Sequence, residues 1–321
     1  MTDASLFHED VPKILEISRY APSVHNSQPW LVRLDDMSLE ISIDESHKLT
    51  HGDPTGRQTI ISLGIFTEAV RLVAQDLGWN AHKQIFKDKI VTIKFKKVRL
   101  VNQSSLSSKL LKSRCSDRSI FKNTKLDKHD ISAIQKVKRI PGVKAEVTDD
   151  KEIIASVAVL TSKAISVALS SPSFREELIK HLVFPWSKNK RGISIFSLSL
   201  PWFLEFSEPL LLRLGVGLKN EHSLELRRWL SASALILITA KGDMPRFWLE
   251  AGRTYLRVCL EVENLGLSQA TSAAIVEASN YHEDIESLLH TKQRILGVIR
   301  IGMGEKAKHY SPRINVSELL H

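Results

Sequence analysis

The segment Gln58–Trp79, which carries the run IISLGIFTEAVRLVAQDLGW, constrains the fold more than any other stretch. Its apolar residues run around much of the helical circumference, and such a helix is stable only as a central element with other structure packed around it. The chain has the material for that: 321 residues, 43% hydrophobic and 25% charged, the balance of an ordinary soluble globular protein. Its length fits two modest domains or one elaborate one.

The surrounding pattern reads as two units. In the first, Val11, Ile14, Leu15 and Ile17 recur on one helical face. Pro22 disfavours helical geometry at Ala21 and stops that helix near Tyr20. Trp30–Leu34 and Leu39–Ile43 read as a hairpin turned at Asp35-Asp36, and Asp53-Pro54 as an N-cap with proline at the first helical position. Lys89–Lys97 alternates as a half-buried strand and closes the unit near residue 100. The second unit opens with helical residues around Leu106–Ser113 and continues through RCSDRSIF to a helix at Asp127–Val137. A strand at Val143–Val147 and a helix at Lys151–Leu169 follow. Strands Ala234–Ala240 and Ile295–Gly302 then flank a helix, Phe247–Leu265, that stops at Gly266. A proline- and tryptophan-bearing insertion occupies about 181–220. The fold class expected is α+β and rich in helix.

Composition excludes several functions. The net charge of +9 is scattered, and its densest runs, Lys94–Lys97 and Ser187–Arg191, lack ordered aromatic interleaving, so nucleic acid is not expected as a partner. The N-terminus shows no basic region leading into an apolar run, so no secretion signal is expected. Within Ile193–Leu218, Pro201, Glu205, Glu208, Pro209 and Arg213 interrupt the apolar stretch before a membrane span of about 18 to 20 residues accumulates; no membrane partner is expected. Cys115 and Cys259 show no metal-like or redox-like spacing, which favours a reducing, cytoplasmic compartment.

Two short constellations carry chemistry. In Ala21-Pro22-Ser23-Val24-His25-Asn26-Ser27-Gln28-Pro29-Trp30, prolines fix a loop on which Ser23, Asn26 and Gln28 place groups that donate and accept hydrogen bonds. Such groups suit a flat heterocycle rimmed by carbonyls and ring nitrogens, and equally a turn whose polar side chains cap neighbouring elements. In Arg114-Cys115-Ser116-Asp117-Arg118, two guanidinium groups flank a hydroxyl and can converge on one dianion. The same residues also read as a surface helix end with Asp117 pairing an arginine. His25, His51 and Asp53 suit turn and capping roles better than acid–base work.

Together these motifs resemble the nitroreductase superfamily. APSVHNSQPW is similar to its A-P-S-x-x-N-x-Q-P-W loop, and RCSDRSIF to the R-x-[ST]-x-R segment that grips the phosphate of flavin mononucleotide, FMN. WLEAGRTYLRVCLEVENLGLSQAT resembles the family's late helix, and ILGVIRIGMG with SPRINVSELL resembles its last strand and tail, which carries Arg313 to the same phosphate. In ordinary members one short chain holds both motifs, arginines first, and two chains pair. Here the arginines follow the loop by about ninety positions. That order, with the HGDPTGRQTIISLG element, is similar to the fused Acg family.

The resemblance implies a nitroreductase-like fold of two fused, subunit-like halves, residues 1–100 and 101–321, each with a small, mainly antiparallel sheet packed by helices. It implies one FMN per chain, with Pro22, Ser23, Asn26 and Gln28 toward the ring and Arg114, Ser116, Arg118 and Arg313 on the phosphate. NADH or NADPH would be the transient donor and a small flat aromatic, a nitroaromatic or a quinone, the acceptor. No protein residue is expected to be catalytic and no metal is implied, because the flavin carries the chemistry. A pseudo-dimer of this kind is complete as a monomer, with further pairing left open. Thr271–Glu277 stands where many members carry a Glu-Gly pair, so ring contacts from residues 268–280 are unassigned. If Phe184, Trp186, Phe196, Trp202 and Phe203 of the insertion lay over the ring, the chain would instead be a low-turnover flavin holder serving storage, sequestration or sensing; the other reading of that insertion is a packing arm around the opposite half.

Overall fold

The computed structural model describes residues 2–98, 106–137, 140–184, 186–198, 205–305 and 310–321. Helix α1 (Asp3–Ser18) leads through the proline loop to β1 (Trp30–Asp35) and β2 (Ser38–Ile43), then α2 (Arg57–Asp76), β3 (Trp79–Lys87) and β4 (Ile90–Lys97). Helices α3 (Leu106–Ser113) and α4 (Lys128–Gln135) precede β5 (Val143–Thr148). The chain then runs through α5 (Lys151–Ser170), α6 (Pro172–Lys180), the short strands β6 (Leu182–Val183) and β7 (Ile193–Ser194), α7 (Glu208–Leu214) and α8 (Leu218–Leu230). It closes with β8 (Ala234–Ala240), α9 (Pro245–Asn264), β9 (Ser268–Thr271), short helices at Ala274–Glu277 and Tyr281–Leu288, β10 (Arg294–Gly302) and α10 of the tail, which is the last of these labels and spans Val316–Leu319. The fold is α+β, with antiparallel four-stranded sheets.

The two sheets are built alike. One has the order β1-β2-β4-β3 and the other β5-β8-β10-β9, so each runs first, second, fourth, third in its own chain order. In each, a 20-residue helix joins the second strand to the third: α2 in one, α9 in the other. These helices cross on a pair of glycines. A Cβ on Gly64, the eighth residue of α2, would lie 2.0 Å from the Leu249 carbonyl oxygen. One on Gly252, the eighth residue of α9, would lie 2.0 Å from the Ile61 carbonyl oxygen. Each glycine therefore meets the backbone three residues before the other, the reciprocity of a two-fold contact. Beside the crossing, Glu68 is buried among Arg253 at 2.8 Å, Arg257 and Arg71. Burial pushes its carboxyl up, but the guanidinium charges outweigh that and hold it below the ordinary range.

The sheets differ in two connections, one of them from the third strand to the fourth, which is the turn Asp88-Lys89 in the first sheet and two short helices in the second. Between the first and second strands the first sheet has the two-residue turn Asp36-Met37, one residue later than Asp35-Asp36, whereas the second has everything from α5 to α8. The extra segment thus begins well before residue 181. By length and composition Lys151–Ser170 could cross a membrane, with mean hydropathy 1.8. Its Ile154, Val157 and Ala158 instead pack in a core with Trp229 and Leu235.

Several expected boundaries shift. The α2 helix ends at Asp76, because Gly78, at φ 85°, turns the chain into β3. Pro54 lies in a turn and Gly56 is the N-cap, yet Asp53 still accepts from the Gln58 and Thr59 amides at 3.0 and 2.8 Å. The end of the chain returns to the first half: Ile314 and Leu319 are buried with Trp30 and Phe66, and the His321 amide donates to the Val32 carbonyl at 3.0 Å. Leu111 of α3 joins the same core.

Candidate functional site

The proline loop is a strained piece of backbone. His25, Asn26 and Gln28 all have φ near +50°, a region that costs side chains of L-residues about 1–3 kcal/mol each. Distant parts of the chain hold it there. The Ser23 hydroxyl accepts from the Gln28 amide at 2.9 Å, and the Ser62 hydroxyl of α2 accepts from the Val24 amide at 3.2 Å. Arg191, buried, donates to the carbonyls of Ser27 and Gln28. Asn26 Nδ2 donates to Gly192 O at 2.8 Å and Pro312 O at 2.9 Å, while its Oδ1 accepts from Arg313 at 2.6 Å. Residues upstream of 31 and downstream of 113 therefore meet.

They meet at a crevice. A small cavity of about 90 Å³ is lined by Pro22, Ser23, Asn26, Arg114, Ser116, Arg118 and Arg313, seven of the eight expected cofactor residues. Gln28 is the exception. Its side chain is fully buried, with Nε2 donating to Lys190 O at 2.8 Å and Oε1 accepting from the Ile314 amide at 3.0 Å, so it ties the tail to the loop and lines neither cavity. Cys115 also lines the small cavity, and neither cysteine is bonded to another. Asp117 does not pair the arginines of its motif; its carboxylate accepts from the Ser119 amide at 2.9 Å.

The arginines are arranged for an anion. Arg114 is 5% exposed, yet its Nε and one terminal nitrogen have no hydrogen-bond partner. Arg313 Nε is likewise unpartnered, and burial, followed by the charge of Arg114, pushes its pKa down to about 9. Burial and then Arg228 lower that of Arg118, whose guanidinium donates to Ser197 O at 3.2 Å. Among the described residues no carboxylate forms an ion pair with any of the three. Unpaired buried cations repel one another and forfeit hydration, so a dianion is what this donor set lacks.

A larger cavity of about 520 Å³ shares Pro22, Ser23, His25, Ser116 and Arg118 with the small one. Its walls are Gln58, Ile61, Ser62 and Ile65 of α2, Ala251 and Tyr255 of α9, and the stretch Ala270–Ala274, which fills the side left unassigned by sequence. The extra segment covers it with Phe174, Leu178, Leu182, Leu198 and Leu212. Phe184, Trp186 and Phe196 line neither cavity, and Trp202 and Phe203 lie outside the described residues. His25 overhangs the join; burial, then His181, push its pKa to about 4, so it is neutral at physiological pH. Its role is the turn and the wall of the crevice.

Sequence reading missed Arg191, Arg228, Tyr255, Glu177 and Glu208. Arg191 ends a basic run that reads as surface, and the others carry no local signal. Burial and then the neighbouring Glu221 push the Glu208 carboxyl at the covering end of the cavity up to about 7 from 4.5. The folded state therefore holds a proton that the unfolded state releases, and stability falls as pH rises from about 4.5 to about 7. Glu208→Gln is expected to flatten that slope: its thermal midpoint should exceed that of the unmodified chain at about pH 8 and match it near pH 4, in melts at both values.

No family model matches the chain. It is 36% identical over 80 residues to "Putative NAD(P)H nitroreductase Rv3131" of Mycobacterium tuberculosis, covering 25% of this chain and 23% of that protein. It is 26% identical over 86 residues to "Putative NAD(P)H nitroreductase acg" of the same organism, covering 27% and 26%. These matches therefore span about a quarter of the relatives' length. "Uncharacterized protein Rv3127" of that organism is 22% identical over 300 residues, 88% of this chain and 83% of that protein. Among solved structures, the FMN-dependent nitroreductase NfnB of Mycobacterium smegmatis in complex with NADPH aligns with 66% of this chain and 96% of its own at 17% identity, with a TM-score of 0.42. Its P-S-x-x-N-x-Q-P-W loop and R-x-S-x-R segment meet at one crevice, and over about a quarter of its length the chain is similar to proteins named as nitroreductases.

Proposed function

We propose that the chain is an FMN-dependent NAD(P)H oxidoreductase of nitroreductase type, a fused Acg-like pseudo-dimer with one flavin per chain and a flat nitroaromatic or quinone as acceptor. The observation that carries this reading is the pair of joined cavities. Arg114, Ser116, Arg118 and Arg313 form a cationic end, sized for a phosphate, that opens into a mostly apolar slot. In that arrangement the three guanidinium groups and the Ser116 hydroxyl hold the phosphate. Pro22, Ser23 and the backbone of the strained loop border the ring, and the walls from α2 and α9 exclude water from its faces. Bound flavin supplies hydride acceptance from the nicotinamide and electron delivery to the acceptor. Gln28, Arg191 and Ser62 position the loop without touching the ring. The unbonded state of Cys115 and Cys259 supports a cytoplasmic setting. Flavin released from purified protein, quantified per chain, is the test. About one equivalent of FMN supports the reading; protein that neither carries FMN nor takes it up would end it.

A second reading, a holder with little turnover, has one observation in its favour. The Glu177 carboxylate of α6 accepts from three consecutive backbone amides of the opposite half: Thr50 at 2.6 Å, His51 at 2.9 Å and Gly52 at 2.7 Å. Such a nest grips an anion firmly and fastens the covering segment across the cavity. Glu177→Ala is expected to speed flavin reduction by NADPH about tenfold in stopped flow if that cover limits access, since the charge-assisted bonds it removes contribute about 1.5–3 kcal/mol. An unchanged rate would leave the open enzyme as the reading.

A further inference from the structure

The extra segment also carries a surface that neither cavity uses. Trp186, Phe206, Leu210, Leu214 and Val216 are 69%, 53%, 58%, 64% and 54% exposed. Trp186 stacks on Phe184 at 5.1 Å and lies 6.3 Å from Phe206, and α7, which starts two residues after Phe206, presents Leu210 and Leu214 one turn apart. Isolated exposed apolar residues are ordinary, but a contiguous group marks a contact surface. Exposed basic residues adjoin it in the chain: Lys188 and Lys190 after Trp186, Arg213 within α7, and Lys219 after Val216. Of these, only Arg213 has a carboxylate partner among the described residues, Glu176 at 2.9 Å.

We propose that this patch seats the protein on an anionic lipid surface as a peripheral contact. Tryptophan and leucine within a basic surround is the composition that enters the headgroup boundary while lysines meet lipid phosphates. A second copy of this chain fits less well, because a two-fold contact would bring the basic rim onto itself. The inner side of α7 lines the larger cavity through Leu212, so the lipid would lie across one helix from it. The proposal stands on the patch alone, whatever the crevice binds, and it revises the expectation of no membrane partner, which rested on the absence of a span.

The test is sedimentation of the full chain with vesicles of equal parts phosphatidylglycerol and phosphatidylcholine, against vesicles of phosphatidylcholine alone. Binding to the anionic vesicles is expected, with a blue shift of Trp186 emission that Trp186→Ser removes. Lys188→Glu with Lys190→Glu should weaken binding about tenfold or more, and Leu210→Asp with Leu214→Asp should abolish it while the thermal melt stays cooperative. If the aspartate pair does not fold, the lysine pair and Trp186→Ser carry the test. No binding by the unmodified chain, equal binding to both vesicle types, or a solution dimer that the lysine pair strengthens would each overturn the proposal.

Discussion

Replacing Arg114 with methionine is expected to raise the thermal stability of the flavin-free protein and to weaken its hold on FMN. The two effects have opposite sign for one reason. Arg114 is buried with two nitrogens unpartnered and faces Arg313, whose own pKa is depressed in part by it. Without an anion, that charge is a net cost to the fold, and a side chain of similar length without charge removes it. With FMN bound, the same guanidinium makes a charge-assisted contact that contributes about 1.5–3 kcal/mol, so retention should fall about 10- to 100-fold. Arg118→Ala should share the loss of retention. Melts of flavin-free protein and FMN titrations decide the matter. If Arg114→Met destabilises the flavin-free chain, the arginine has a structural partner and the anion site is misplaced.

Gly64→Ala and Gly252→Ala are expected to destabilise the chain severely and by similar amounts. In each case the new methyl would sit 2.0 Å from a carbonyl oxygen of the crossing helix, where no rotamer can relieve it and only separation of α2 from α9 can. Overpacking a core ordinarily costs about 1–3 kcal/mol. A backbone clash at the central crossing belongs at or above the top of that range, and urea midpoints would measure it. Because the contact is reciprocal, near-equal losses are the sharper part of the expectation. A mild effect at one glycine and a severe one at the other would mean that the halves are not related by a two-fold at this point.

How much of this was legible in the sequence depended on whether the signal was local. Val91, Ile93 and Phe95 alternate and are buried as the pattern predicts, and Gly266 ends α9 at φ 74° as a C-terminal glycine should. Strand β3 was not legible: it pairs only with β4, at the edge of its sheet, and its mostly exposed side chains leave little alternation to read. Motif chemistry singled out the three arginines, Ser116 and the proline loop, which the structure brings to one crevice. Gln28, expected toward the ring, lines neither cavity, and a buried amide that bonds Lys190 and Ile314 looks, in sequence, the same as one that faces a ring. Arg191 and Glu177 act on backbone more than 120 residues away, and no window along the chain contains both ends of such a bond.

The bond between Asn26 and Arg313 joins residues 287 apart and closes the crevice. Any molecule held there touches segments from opposite ends of the chain at once, so its binding free energy opposes their separation as a staple would. Because the two parts share one core, calorimetry of the ligand-free chain should show a single transition, which saturation should move to higher temperature.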